Sequence, residues 1–343
     1  MSNQKLIINT TLADVARRAG VSTATVSRVI NHTGQVAQET IDRVNQVIEE
    51  IGYRPHASAR NLASGRTYTI GFISENLGST FYVDLLDGIE EAASEQNFSL
   101  LIHTTRGRTA SGPGYHRPLA AHDTDGIIVF IDTLGKDELA YLEQAQFPIV
   151  MLLQAPDPPL KIPYVVFENR QSACLLTEHL IVQHGSRRIA FIRGEKNQED
   201  SYQRENGYRE ALEKNGIAVD PELISEFGNL ESAEQTVRQW IDHGLKMDAI
   251  FNFDDDRAVR TLSILYNRGV RVPEDIRVVG FDDIPMTKFI APPLTTVAAP
   301  VRQAGYEAAR QLLNLIQGHK TEPVIVLPTE IVIRRSCGCP WSE

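Results

Sequence analysis

From Tyr68 to near the C-terminus, short apolar runs alternate with stretches of helical periodicity, and that alternation leaves few folds open. The runs Ile70–Ile73, Leu100–Ile102, Ile127–Ile131, Ile149–Leu153, Val165–Phe167, Ile189–Ile192, Ile250–Phe253 and Val278–Phe281 have the length of core strands and fall far short of a membrane span. Helical patterns fall between them at Leu85–Ala93, Ala173–Gln183, Glu205–Lys214 and Ala258–Asn267. Continuously apolar strands alternating with helices imply parallel sheets covered on both faces. About 275 residues of this pattern suffice for two doubly wound parallel-sheet lobes. Ser111–Gly114 falls where a further crossover helix is expected, but Pro113 and Pro118 oppose one.

Before Tyr68 the pattern is helical only. Thr11 can cap a first helix, Leu12–Ala19, and Gly20 allows a tight turn. Ser22 can cap a second helix reaching about Ile30. After a polar loop, Ile41, Val44, Val47, Ile48 and Ile51 recur at the spacing of a third, amphipathic helix, which Gly52 ends. Val15, Val21, Val26 and Ile30 can bury the junction, Ala16 being small where two helices cross. The second helix then presents Thr23, Ala24, Ser27 and Arg28 outward. Short residues at a helix N-terminus with an arginine one turn later suit entry into a major groove. Any three-helix domain with a solvated basic face would share part of this pattern.

The net charge of −10 argues against nucleic acid until its distribution is considered. Residues 1–66 hold eight cationic against five acidic side chains, a net of +3, so the remainder carries the whole negative balance. A basic head on an acidic body can bind phosphate while the body stays clear of it. Three cysteines, an odd number in a long chain, do not make a disulfide framework and fit a reducing cytoplasm. Met1–Thr10 lacks the apolar core of a secretory signal.

The segment TLADVARRAGVSTATVSRVIN (Thr11–Asn31) resembles the head of the LacI/GalR family of transcription regulators. GYRPHASARNLASGRTYTIGFI (Gly52–Ile73) resembles that family's hinge and first core strand. DGIIVF (Asp125–Phe130), RRIAFIRG (Arg187–Gly194), VPEDIRVVGFDDIP (Val272–Pro285) and PPLTTV (Pro292–Val297) follow in family order. The resemblance spans about residues 11–336, and its ordered motifs are hard to attribute to chance. It implies a helix-turn-helix DNA-binding domain at 1–55, a hinge helix and linker at 56–67, and a two-lobed, periplasmic-binding-protein-like body at 68–343. The N-lobe is expected at about 68–167 and 298–327, the C-lobe at about 168–297 and 328–343.

The resemblance also implies roles. Thr23, Ala24 and Arg28 would read bases, with Arg28 able to address guanine bidentately. Ser22, Thr25 and Ser27 would hold phosphates, and Thr11, Asn31, His56 and Ala59 complete the expected DNA-facing set. Leu62 occupies the position of a minor-groove wedge in a hinge too short to be helical alone. A single head reads few base pairs, so a homodimer on a pseudo-palindromic operator is expected, with Asp84–Glu95 and the helix near Val301–Leu315 as candidate surfaces. The implied partners are thus double-stranded operator DNA and a small effector, with neither membrane nor cofactor.

The effector is expected between the lobes, at the carboxyl ends of the strands. Arg204 occupies the family's ligand-arginine position, with Gln198 and Asp200 expected in the loop before it and Asp254 and Asp282 at strand ends. An arginine and carboxylates converging on a cleft can clamp sugar hydroxyls. Phe81 and Tyr82, expected in the loop after the first strand, could stack on an apolar sugar face. Blander readings exist: Asp254 and Asp255 as caps or packing groups, Asp283 as a turn residue, Arg204 paired with Glu205 or Glu210. Departures from the family pattern are Ala37 where the third helix usually has a serine cap, Leu230 where many relatives carry an aromatic ring, and Glu168 for the usual aspartate before Asn169. Gln198 and Leu230 disfavour a purine effector. A sugar or sugar derivative is the expectation.

Other classes fare worse. A transport receptor would share the body but leaves residues 1–66 without a use. An α/β enzyme needs a nucleophile or base constellation, and no GxGxxG after a strand, GxxxxGK[ST] or GxSxG is present. His116 and His122 lack metal-helix spacing. Cys337 and Cys339 form a close pair, but two ligands make no closed zinc site, and two reduced cysteines in the last turn is the simpler expectation.

Overall fold

The computed structural model describes residues 10–30, 33–53, 66–105, 123–131 and 133–340. Asn31, His56, Ala59 and Leu62 lie outside the described residues, as do Ser111–Gly114, His116 and His122. The chain divides into two compact units, residues 1–67 and 68–343.

In the first unit, α1 (Leu12–Ala19), α2 (Thr23–Ile30) and α3 (Gln38–Ile51) enclose a core of Val15, Ala16, Ala19, Val26, Val29, Val44, Val47 and Tyr53. Thr11 and Asp14 cap α1 reciprocally, each accepting from the other's backbone N–H. Gly20 closes α1 in the left-handed region at φ 66°, which lets α2 start two residues after the turn. Ser22 Oγ accepts from the Thr25 N–H at 3.1 Å. At the start of α3, Ala37 makes no side-chain cap.

Among the described residues, the second unit holds two parallel sheets. The first has the order β10-β5-β4-β3-β1-β2, built from β1 (Thr69–Ser74), β2 (Ser99–Thr104), β3 (Gly126–Phe130), β4 (Ile149–Leu152), β5 (Tyr164–Phe167) and β10 (Val324–Leu327). The second has the order β6-β7-β8, from Ile189–Ile192, Ala249–Asn252 and Arg277–Val279. Single parallel bridges add Ile224 beside β6 and Thr295 beside β8. The central strands are buried at every position, as parallel strands between helical layers must be. The chain returns from the second lobe to the first through β9 (Thr296–Ala298), then crosses back to β11 (Glu330–Val332), which pairs antiparallel with β9.

Helices α4 (Phe81–Glu95), α5 (Lys136–Gln144), α6 (Asn169–His184), α7 (Glu199–Lys214), α8 (Leu230–Asp242), α9 (Asp255–Asn267) and α10 (Val301–Ile316) cover these sheets. Several begin earlier than apolar periodicity suggests. Phe81, Tyr82 and Asp200 therefore stand on helical first turns rather than in loops. The first turns of α7 and α9 are acidic, which suits the positive end of a helix dipole but leaves no apolar stripe to read. Helices α5 and α8 bury only two residues each, and the sequence pattern does not mark them.

Both lobes pair two helices at glycine-sized separation. A Cβ on Gly88 of α4 would overlap the Arg302 carbonyl oxygen of α10, and one on Gly305 would overlap the Leu85 carbonyl oxygen. Gly207 of α7 stands in the same relation to Arg170 of α6. Backbone, rather than a flexible side-chain tip, is the obstacle in each case. Gly305→Ala is therefore expected to lower unfolding free energy by about 1–3 kcal/mol, measured by denaturant titration. Stability within error of wild type would show that the helices separate freely.

Candidate functional site

A crevice of about 190 Å³ lies between the two lobes of the second unit. Its position follows from topology. In the first sheet, β1 and β3 are neighbours whose connections diverge to β2 and β4, and a crevice opens at such a switch point. β1 leads to Phe81 and Tyr82, and β3 ends on Phe130. The second sheet repeats the arrangement: β6 leads to Gln198, Asp200 and Arg204, β7 to Phe253 and Asp254, and β8 to Asp282.

The two walls differ chemically. On the first lobe, Phe81, Tyr82 and Phe130 form a mutual aromatic cluster, with the Tyr82 and Phe130 rings 5.3 Å apart. The Tyr82 hydroxyl accepts from Ser74 Oγ at 3.2 Å, and burial pushes its pKa up. On the second lobe, Arg204 is 2% exposed and each of its guanidinium nitrogens donates to a protein acceptor. Nε donates to Asn169 Oδ1 at 2.9 Å, Nη1 to the Phe253 carbonyl at 2.6 Å and Nη2 to Asp282 Oδ1 at 3.3 Å. Asp200 lies 3.7 Å from Nη2 and accepts from Asn169 Nδ2 at 2.8 Å. The Phe281 ring lies 3.7 Å from the guanidinium carbon, a cation–π contact that needs no proton acceptor.

The carboxylates outnumber the cations. Burial raises the Asp282 pKa to about 8, Arg204 only partly offsetting it while Asp254, Asp200 and Asp256 add repulsion. Burial likewise raises Asp200 to about 6 and holds Asp256 above the ordinary carboxylate range. Asp282 also takes φ 113°, a left-handed conformation uncommon for a non-glycine residue. Its backbone is held by its N–H donating to Val297 O at 2.8 Å, on the strand that returns to the first lobe.

The structure brings Phe81, Tyr82, Gln198, Asp200, Arg204, Asp254 and Asp282 to one crevice. Their surroundings refine the expectations. Asp254 is the N-cap of α9, accepting from the Arg257 N–H and pairing with the Arg257 side chain. Asp255 packs rather than caps. It is fully buried, accepts from Thr296 Oγ1 and the Ile284 N–H, and fills the space beside Gly280 that a Cβ would need. Asp283 is a turn residue paired with Arg334. Glu205 is engaged by Arg193 and Arg209, and Glu210 by Arg170 and Lys214, so neither partners Arg204. Phe130, Asn169, Asp256 and Arg257 were not singled out as site residues. Phe130 ends a strand and Asn169 opens the helix after one, so strand-end position was the usable signal. Among the hydrogen bonds that cross between lobes, Ser79 Oγ donates to Asp256 Oδ2 at 2.6 Å and the Ala155 N–H to Glu199 Oε2 at 2.9 Å.

In the head, Thr23, Ala24 and Arg28 are exposed at the start and outer face of α2. Thr11 and Ser22 are exposed but serve as caps, while Thr25 and Ser27 are half-buried.

Residues 11–56 match the family model for bacterial regulatory proteins of the lacI family, and residues 177–337 match the periplasmic binding protein-like domain. The HTH-type transcriptional repressor PurR of Aliivibrio salmonicida (strain LFI1238) is 33% identical over 330 residues, covering 95% of this chain and 98% of the relative. The chain belongs to the LacI family. It is a DNA-binding transcription regulator rather than an enzyme, with a helix-turn-helix head and a parallel-sheet α/β body. A lac repressor dimer bound to operator and the anti-inducer ONPF superposes with TM-score 0.82 at 27% identity, over 96% of this chain and 99% of that one. A CelR–cellobiose complex superposes with TM-score 0.70 at 33% identity, over 95% and 99%.

A carboxyl whose folded pKa is raised holds a proton that the unfolded chain has lost. Stability from Asp282 is thus fully present at acid pH and falls as pH rises through about 8. Asp282→Asn should remove that loss. Its stability relative to wild type is expected to rise between about pH 5 and 8, by less than the about 1.4 kcal/mol per pH unit that one proton allows. Denaturant unfolding across that range reads the difference. A difference that stays flat or falls with pH would place Asp282 ionised throughout.

Proposed function

We propose that this LacI-family protein is a homodimeric repressor whose operator affinity is set by a sugar or sugar derivative bound between its lobes. The observation that carries this reading is the pairing of an aromatic wall with a hydroxyl-binding wall. A pyranose has apolar C–H faces and a polar rim, so Phe81, Tyr82 and Phe130 suit the face while Asp200, Arg204 and Asp282 suit the hydroxyls. Leu230 offers no flat ring to a purine on the second-lobe side. The cellobiose in the CelR complex belongs to that protein, but it agrees with a carbohydrate here.

In this reading, residues 1–55 bind DNA through Thr23, Ala24 and Arg28 at base edges and Ser22, Thr25 and Ser27 at phosphates. Residues 56–67, with Leu62 as wedge, link the head to a body of two lobes divided as the sequence suggests. The homodimer on operator reported for the lac repressor supports pairing here. The outer side of α4 and α10 is the favoured surface, with Val83 67% exposed beside a groove reaching Arg302, Gln303 and Tyr306.

An effector touching both walls binds the closed arrangement more tightly than the open one, and only that difference can shift the equilibrium. Since β1 follows the linker directly in sequence, closure is passed to the heads through the first lobe. Arg204→Ala should therefore abolish the effector's influence on operator affinity, while affinity without effector stays within about 3-fold of wild type. Arg28→Ala should do the reverse: operator binding weakens by about 1–3 kcal/mol with effector binding unchanged. The effector comes from a thermal-shift screen of mono- and disaccharides with nucleobases as a second arm. Operator titrations with and without the hit then test both variants. Stabilisation by a nucleobase alone, or an undiminished response in Arg204→Ala, would overturn the sugar-clamp reading. Sedimentation showing only monomer, with and without operator, would overturn the dimer.

A further inference from the structure

The close pair Cys337 and Cys339 does not stand alone. Helix α6 ends on His184, and His179 precedes it by five residues. Both imidazoles lie against Cys339, which follows the turn at Arg335–Cys337. One donor atom from each of His179, His184, Cys337 and Cys339 lies within 4.8 Å of all the others. His179 Nε2 and His184 Nε2 are 3.2 Å apart, and Cys339 Sγ is 3.6 Å and 3.3 Å from them.

We propose that His179, His184, Cys337 and Cys339 form a structural Cys2His2 site for a thiophilic divalent cation, zinc in the first instance. A tetrahedral zinc site with Zn–N of about 2.0 Å and Zn–S of about 2.3 Å has edges of about 3.3 Å between nitrogens and about 3.5 Å between nitrogen and sulfur. The three measured edges match that face of the tetrahedron. Hydrogen bonding alone accounts for them poorly. An imidazole nitrogen carries either one proton or one lone pair and serves one partner, yet each Nε2 here faces two groups. A cation at the centre uses all of them at once.

The local structure supports this reading. The histidines are separated by four residues, within the usual ligand spacing. The cysteines are separated by only one residue, Gly338, which takes φ 101° and lets the chain turn back within that span. Cys337 is fully buried, and Arg277 Nε lies beside this turn, buried without a hydrogen-bond partner. A guanidinium N–H is a suitable outer donor to a thiolate, the kind of second contact that ligand sulfurs take. Two thiolates neutralise a divalent charge, and four protein ligands leave no open position, so the site is structural rather than catalytic.

Its place in the fold gives the cation a task. Ser336, between the cysteines and β11, donates from Oγ to Val278 O and accepts there from the Thr295 N–H at 2.8 Å. Fixing the turn to α6 therefore fixes the strand ends that lead to Asp282 and β9. The whole chain, purified under reducing conditions and stripped with a chelator, is titrated with cobalt(II) alone. The expected result is one cobalt per chain with intense tetrahedral d–d bands and thiolate-to-cobalt charge transfer, both lost on adding zinc. Cys339→Ser and His184→Ala should lose those bands. The wild-type melting temperature should fall by several degrees on chelation and return with zinc. Zinc should also slow alkylation of the more exposed Cys339 in the wild type, which keeps the test decisive if a variant does not fold. A weak octahedral cobalt spectrum, bands that survive in folded variants, alkylation rates indifferent to zinc, or fully reduced thiols that bind no metal would overturn the site.

Discussion

A buried guanidinium is tolerated only where its donors meet acceptors, and the second lobe is organised around that requirement. Arg204 draws Asn169 from the start of α6, Asp200 from its own helix, the Phe253 carbonyl from the end of β7 and Asp282 from beyond β8. Four separate strand-to-helix connections are thereby pinned to one cation. Removing one partner of such a network leaves unpaired charge in a dry site, costing more than the pair contributes when intact. The network is therefore better understood as a device for positioning than as a source of net stability. It holds Asp282 at φ 113° with its carboxyl toward the crevice, although that conformation and the desolvation of its largely covered carboxyl are both unfavourable in isolation.

The helix pairs set how far the lobes can deform. Gly88 with Gly305, and Gly207 with Arg170, bring backbones together with no room for a Cβ, and such close packing resists deformation within each lobe. The crossovers, of which β9 is one, are held by fewer such contacts. Val297 on that strand accepts from the Asp282 N–H, and Ala298 bridges to Asp282, so a residue facing the crevice is attached to the segment joining the lobes. A change at the crevice reaches the joint in one hydrogen bond.

Much of this was legible in the sequence, for identifiable reasons. The capping box at Thr11 and Asp14, the left-handed Gly20 and the apolar strands are local signals, carried by residue type and spacing. The ordered motifs pointed to Arg204 and Asp282, which the structure brings to the crevice. What eluded the sequence depends on contacts distant along the chain. Asn169 and Arg204 meet across 35 positions, Ser79 and Asp256 across 177, and no spacing rule connects them. Cys337 and Cys339 read as two reduced cysteines in the last turn, because His179 and His184, which lie beside Cys339 in space, are about 155 residues away in sequence. The start of α7 was missed because its first turn, Glu199 and Asp200, is polar, and apolar periodicity detects only a helix's buried stripe.

The charge balance of the crevice bears on what it can admit. Asp200, Asp254, Asp256 and Asp282 converge with only Arg204 and Arg257 among them, and each nitrogen of the Arg204 guanidinium already donates to a protein acceptor. A phosphate or carboxylate entering here would meet more acceptors than donors, and repulsion from the acidic side chains would oppose it. A neutral ligand rich in hydroxyl groups meets the opposite situation, since each hydroxyl can donate to a carboxylate oxygen and, with Asp282 protonated near neutral pH, also accept from it. Such a ligand would draw the aromatic first lobe toward the acidic second without adding charge to a site that already carries an excess.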